Sequence, residues 1–172
     1  MEYQDTLKEY QFIDLQLAKK IPASVYVDNP VDKFDFAGRS IEVSGACQWM
    51  NVNVVQCPRS GEMNWALHEN MEAAQKAIDN QFHLTKSRDM SSIISEETVD
   101  VVFEGKATKA KKVLLKVKVP KFVTGGSNEL IIYYVAEEIR GRFMSCVLSH
   151  YSDERLTENG VPGFLSMFLK VN

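Results

Sequence analysis

Lys112-Val113-Leu114-Leu115-Lys116-Val117-Lys118-Val119, closed by Pro120, is the stretch on which the fold turns. Val113, Leu115, Val117 and Val119 fall on one side of an extended chain, and Lys112, Leu114, Lys116 and Lys118 on the other. A period of two marks a strand with one buried and one wet face. Proline lacks the ladder N–H and ends the run, and Thr124-Gly125-Gly126-Ser127-Asn128 has turn composition. Residues 130–136 come next, apolar on both faces and rich in β-formers (Ile131, Ile132, Tyr133, Tyr134, Val135), which predicts a central strand covered on both sides. Glu137-Glu138 and Arg140-Gly141-Arg142 turn the chain again. Residues 143–151 return with Met144, Cys146 and Leu148 on one face and Phe143, Val147 and Tyr151 on the other. The three strands make an antiparallel meander with a buried middle.

Upstream, Leu67, Met71, Ala74, Ile78 and Phe82 recur at helical spacing, with Glu69, Glu72, Gln75, Lys76 and Asp79 on the opposite side. This predicts a long amphipathic helix over residues 67–82, capped by Asn64 or Asn70 and ended by Thr85-Lys86-Ser87-Arg88-Asp89. Alternation predicts further strands over residues 12–18 and 25–27. Ile41-Glu42-Val43 reads as paired with residues 50–55, connected through Gly45 to Gln48. Two more strands are expected over residues 90–95 and 99–104, the latter turned back by Gly105. At the C-terminus, Phe164, Leu165, Phe168 and Leu169 suggest a short helix over residues 161–169, with Pro162 in its first turn and Gly163 opposing it. Strands segregated from helices predict a single α+β domain over residues 1–172: a twisted antiparallel β-sheet, one long helix packed on a face and a short C-terminal helix.

The layout of a strand ending in Ile21-Pro22, a strand pair, an Ala-containing helix, a meander and a terminal helix resembles the fold of the PsbP/DcrB-like proteins. Cys146-Val147-Leu148-Ser149-His150-Tyr151 and Asn159-Gly160-Val161-Pro162-Gly163-Phe164-Leu165 resemble the endings of small bacterial proteins of that kind. The resemblance covers most of the chain in layout but only these strings in residues. It implies a non-enzymatic adaptor, chaperone or assembly role, although a fold does not by itself assign a function.

The 172 residues carry a net charge of -3, which exerts no global pull toward nucleic acid. No apolar run approaches the roughly 18 residues of a membrane span. Met1-Glu2-Tyr3-Gln4-Asp5 is acidic and polar, unlike a secretory leader, so the expected compartment is the cytoplasm, with the mature segment of an exported protein as the alternative. Three cysteines, an odd number, do not form a disulfide framework. Cys47 and Cys57 flank one predicted strand, so a bridge is geometrically open, but three free thiols are the expectation in a reducing compartment.

No cofactor or metal motif is present. His68, His83 and His150 lack the spacing of a ligand set, and His68 and His83 fall near opposite ends of the predicted helix. The Gly125-Gly126 run is not a phosphate loop, having neither the lysine nor a following helix. Lys106, Lys109, Lys111, Lys112, Lys116, Lys118 and Lys121 form one local charge bias, which is either a solvated face that discourages edge pairing or a docking patch for an acidic protein surface. An aromatic stacking motif for RNA is absent. Trp49 and Trp65 would be binding anchors if exposed. The leading expectation is a non-catalytic binding, adaptor or chaperone-like assembly module acting through a sheet face or edge, with Lys112, Lys116, Lys118, Trp49 and Trp65 as its candidate residues. The alternatives are a carrier of a small hydrophobic ligand, which needs an apolar cavity, and a hydrolase or transferase with a dispersed site.

Overall fold

Three of the hairpins in this protein turn on the same two-residue device. Ala37-Gly38, Glu104-Gly105 and Arg140-Gly141 each place both residues at positive φ (51° and 86°, 51° and 82°, 51° and 74°). That is the primed turn whose twist matches that of the strands it joins, and glycine at its second position carries no Cβ penalty. The computed structural model describes residues 30–44, 46–89, 91–118 and 126–172. The strands expected over residues 12–18 and 25–27 lie outside them. The chain divides into two compact units, one ending at Pro58 and one running from Arg59 to Asn172.

In the first unit, β1 (Lys33–Phe36) and β2 (Arg39–Glu42) form a hairpin in which Phe34 opposes Ile41. β3 (Gln48–Asn51) and β4 (Val54–Cys57) form a second, turned at Val52-Asn53. Ile41 therefore pairs within its own hairpin, and the run expected as one strand over residues 50–55 is folded in two. Asn53 at φ 56° marks the break, since asparagine tolerates that region better than other side chains. Gln48 opposes Gln56, which sets the next residues outward, Cys47 and Cys57, side by side. They are joined in a disulfide, and only Cys146 remains a free thiol among the described residues. This corrects the expectation of three free cysteines, which was argued from compartment; the hairpin register decides the matter instead.

In the second unit, six strands follow the order β10-β6-β7-β8-β9-β5. They are β5 (Gly61–His68), β6 (Ser91–Phe103), β7 (Lys106–Val117), β8 (Glu129–Ile139), β9 (Arg142–Tyr151) and β10 (Leu169–Val171). Every pairing is antiparallel. β8 lies inside the sheet, and Ile132, Tyr133, Tyr134 and Val135 are buried on alternating faces. The helix α1 (Met71–Lys86) packs against β8 and β9. Its Ile78 and Phe82 join Val113, Leu115, Ile132 and Tyr134 in one apolar cluster. Phe82 meets Tyr134 edge-on at 5.8 Å, and the Tyr134 hydroxyl pairs with the Thr85 hydroxyl at 2.7 Å. A buried phenol thus keeps a hydrogen-bond partner, as it must.

The helix begins one turn later than expected. Asn70 caps it, accepting from the Ala73 N–H at 2.8 Å, while Asn64 and Leu67 belong to β5. Residues 61–68 alternate Met63, Trp65 and Leu67 against Glu62, Asn64, Ala66 and His68. Leu67 fits both patterns, two residues from Trp65 and four from Met71. The strands expected over residues 90–95 and 99–104 are one continuous strand, β6, with a bulge at Ile93/Ser95. The expected C-terminal helix is only a 3-10 turn, Leu165–Met167, followed by β10. Except for Met167, its apolar residues are buried, and Phe164 packs edge-on against Phe168 at 5.5 Å. They are held by sheet addition instead: Leu169 opposes Phe103, and the Val171 N–H donates to the Asn159 carbonyl at 2.9 Å.

Replacing Ile78 by Asp buries an unpaired charge in the cluster between α1 and the sheet, and should cost about 3–5 kcal/mol. A chemical-denaturation midpoint unchanged from the parent protein would contradict that placement. Thiol titration of unfolded, unreduced protein should count one free cysteine, rising to three after reduction.

Candidate functional site

The lysines of β7 are met row by row by carboxylates on the strands beside it. Folding about Glu104-Gly105 sets Asp100 opposite Lys109 and Glu97 opposite Lys112, and the ammonium groups reach those carboxylates at 2.8 and 2.9 Å. Lys106 reaches Glu137 on β8 at 2.7 Å, and Lys116 stands in register with Glu129. Lys118, just past the end of β7, donates to the Asp89 carbonyl at 2.9 Å. Lys112 and Lys116 lie on the face turned away from α1. Lys111 is on the helix face, where it and Lys86 sit over the Phe82 ring at 3.9 and 4.3 Å, and both pair with Glu96. Exposed pairs of this kind contribute little stability individually, about 0–1 kcal/mol. They do neutralise the lysine row from within.

Trp49 and Trp65 are 3% and 4% exposed, which removes the condition under which they would be anchors. Trp49 packs edge-on to Phe34 at 5.7 Å, and Trp65 stands opposite Cys146 within the sheet. The candidate tryptophans are core residues.

Two histidines have surroundings that spacing did not foretell. His68 is a β5 residue, not a helical one, and its Nε2 lies 2.8 Å from the Ser145 Oγ. This is the contact of a nucleophile and a base. Ser145, however, sits in mid-strand between Ala136 of β8 and Ala66 of β5, so the backbone N–H groups around it are engaged in the ladders. They supply no donor for an oxyanion, and the pair reads as a satisfied cross-strand hydrogen bond. His150 is buried on the opposite face, stacked on Tyr133 at 6.2 Å, with Nδ1 2.9 Å from the Tyr151 carbonyl oxygen. A bond donated to that oxygen leaves Nε2 as the acceptor nitrogen. Burial holds both histidines below the usual imidazole range, and the Lys112 charge adds to the effect at His150. Burial also pushes the Tyr133 phenol up to about 12, with Glu97 adding to it.

No group of three or more His, Cys, Asp or Glu residues among those described could hold a metal ion. No helix among the described residues is long and apolar enough to cross a membrane.

What remains is an edge. β10 covers β6 only at Val101, Val102 and Phe103. Over residues 91–99 no described strand lies on the outer side of β6, and Ile94, the extra residue of the bulge, is 50% exposed. The orientation of the backbone groups follows from the bonds at the covered end. The Glu104 N–H donates to the Phe168 carbonyl and the Asp100 carbonyl accepts from the Asn172 N–H. Even-numbered residues therefore point outward from Glu96 to Glu104, where the β6–β7 register has no shift, and odd-numbered ones point to β7. Among the described residues, the outward N–H and C=O groups of Glu96 and Thr98 thus meet no partner. The edge is hidden in the sequence because residues 96–98, between the strands expected over residues 90–95 and 99–104, look like a break. The carboxylates of β6, placed to meet the lysines across Glu104-Gly105, were the signal for a continuous strand.

No protein-family model matches this chain, and no curated protein matches it in sequence.

The histidine environments predict a pH dependence. Both native pKa values lie below the unfolded value of about 6.5, so the unfolded chain binds more protons as the pH drops beneath it, and stability falls. The raised carboxyls of Glu62, and of Glu154 at about 6, act oppositely, taking up protons in the native state first. Denaturation curves between pH 5 and 7 should therefore show a shallower acid loss for His150→Phe than for the parent protein. Identical slopes would mean that His150 titrates alike in both states.

Proposed function

We propose that this protein is a non-catalytic binding module, an adaptor or assembly component, that takes an extended segment of another protein onto the outer edge of β6. The observation that carries this is the edge over residues 92–99, which no described strand covers, with the outward N–H and C=O groups of Glu96 and Thr98 free of any described strand. Such groups are a template for a further strand, and strand addition is a recurring way of recognising peptides. β10 already makes this pairing with the same edge over three residues, so its geometry accepts an added strand. The PsbP/DcrB-like resemblance points to the same non-enzymatic class. The space between α1 and the sheet is occupied by the protein's own Ile78, Phe82, Val113 and Leu115, which favours an edge over carriage of a ligand between layers. The paired state of Lys112, and the burial of Trp49 and Trp65, move the expected interface from the lysine face to the edge beside it.

Proline distinguishes the two sides of β6. The Thr98 N–H points outward and makes no bond to β7, and the preceding Glu97 is already extended, as a residue before proline prefers. Thr98→Pro should leave the denaturation midpoint close to that of the parent protein. Val99→Pro, which removes an inward bond, should cost about 1–3 kcal/mol. Screening an array of short extended peptides should yield ligands that slow hydrogen exchange at the Glu96 and Thr98 amides and fail to bind Thr98→Pro. Ligands that bind the proline variant equally well and leave those amides fast would overturn the proposal.

A further inference from the structure

The edge of β6 also selects the chemistry of the strand it takes, an inference that rests on the strand-addition reading. From Ser91 to Phe103 this strand carries Glu96, Glu97 and Asp100 and no lysine, arginine or histidine. Glu96 and Asp100 lie on the face toward α1, and Glu97 lies on the other. On β7, the inner neighbour, they are met by Lys111, Lys109 and Lys112, and Glu96 is also met by Lys86 of α1. The Asp100 side chain is 72% exposed and Glu97 53%. An ionised carboxylate accepts at two oxygens from several directions, so a cation on the inner side leaves it able to accept from the outer side as well.

A second copy of this chain fits the edge poorly. Two β6 edges related by a two-fold axis pair antiparallel, and each register has a residue at its centre. Centring on Glu96 or on Glu97 sets that carboxylate against its own copy. Centring on Thr98 sets Glu96 against Asp100 twice. Centring on Ser95 runs the pairing through the bulge at Ile94, and centring on Val99 needs the edge of Val101 and Val102, which β10 occupies. Like charges directly opposite on neighbouring strands are destabilising.

We infer that the occupant is an extended segment of a different protein bearing Lys or Arg at the two positions opposite Glu96 and Thr98, on one face of the incoming strand, the second lying diagonally across from Asp100, whose own outer position Asn172 holds. Each carboxylate then sits between its own lysine partners and a cation of the guest. The backbone bonds hold the segment, and the cations set its identity and register.

The test uses the full chain and three short extended peptides, identical except at those two positions, which carry Lys, Gln or Glu. Affinity is read by fluorescence anisotropy and placement by amide exchange at Glu96 and Thr98. The Lys peptide should bind roughly tenfold tighter than the Gln peptide, from two exposed cross-strand pairs, and the Glu peptide should bind weakest. The differences should shrink as salt rises. The double variant Glu96→Gln, Asp100→Asn, with its fold checked by circular dichroism and denaturation, should lose the preference for Lys over Gln while keeping its affinity for the Gln peptide. Equal binding of the Lys and Gln peptides with both amides protected would overturn this inference and leave strand addition standing. Tightest binding by the Glu peptide would overturn it in favour of the β7 lysines as the selecting charges. Absence of amide protection by every peptide would remove the strand-addition reading and this inference with it.

Discussion

The register of the β6–β7 ladder is the constraint on which the rest of the second unit depends. A two-residue turn at Glu104-Gly105 leaves no slack between the strands, so Phe103 must oppose Lys106 and each later pair follows. Side chains alternate along a strand, so a slip of one residue would send Val113 and Leu115 to the wrong face. It would also carry Lys109 and Lys112 away from Asp100 and Glu97. The hydrophobic pattern and the charge pattern therefore demand the same alignment, and their agreement makes a long, thinly covered hairpin specific. Arg140 reinforces it from the next turn by pairing with Glu104, tying the β8–β9 turn to the β6–β7 turn.

Given that alignment, α1 has one place to go. Its Ile78 and Phe82 meet an apolar face made by alternate residues of β7 and β8, where Tyr134 brings a hydroxyl that Thr85 satisfies. At the margin, Lys86 and Lys111 lie over the ring of Phe82 and share Glu96. Cations over an aromatic face cover it without leaving a bare apolar rim, and their stems add apolar contact. The same Glu96 ends one of these ion pairs and stands on the open edge, so the border of the core is also the border of the proposed binding surface.

The meander was legible because its pattern is unmixed: Val113 and Leu115 alternate with lysines, and residues 130–136 have the doubled apolar faces of a central strand. The helix was legible from Ile78 and Phe82, and its start was not, because Leu67 satisfies both a strand and a helix period. At the C-terminus, Phe164 and Phe168 are spaced for a helix, but Leu169 and Val171 gain more by pairing with β6 than a short, glycine-weakened helix could return. The Cys47–Cys57 bridge follows from a hairpin turn at Val52-Asn53 that carries no glycine and gives little local sign of itself. The candidate site was the least legible part. A sheet edge is defined by what fails to lie beside a strand, and residues 96–98, polar and acidic, read locally as loop.

The bulge at Ile93/Ser95 has a consequence for length. An added strand pairs in step with β6 only where β6 itself is regular. β10 and the Asn172 N–H that follows it close that regular edge at Asp100, and the bulge ends it before Ser95. The stretch between them, residues 95–99, spans about 17 Å at the usual rise per residue. Under the proposed strand addition, the edge is a slot of fixed length. A guest shorter than the slot leaves outward groups facing water, and a longer one must leave the sheet at Ile94 or displace β10. A half-exposed isoleucine at that boundary marks where the chain of a longer guest would turn away.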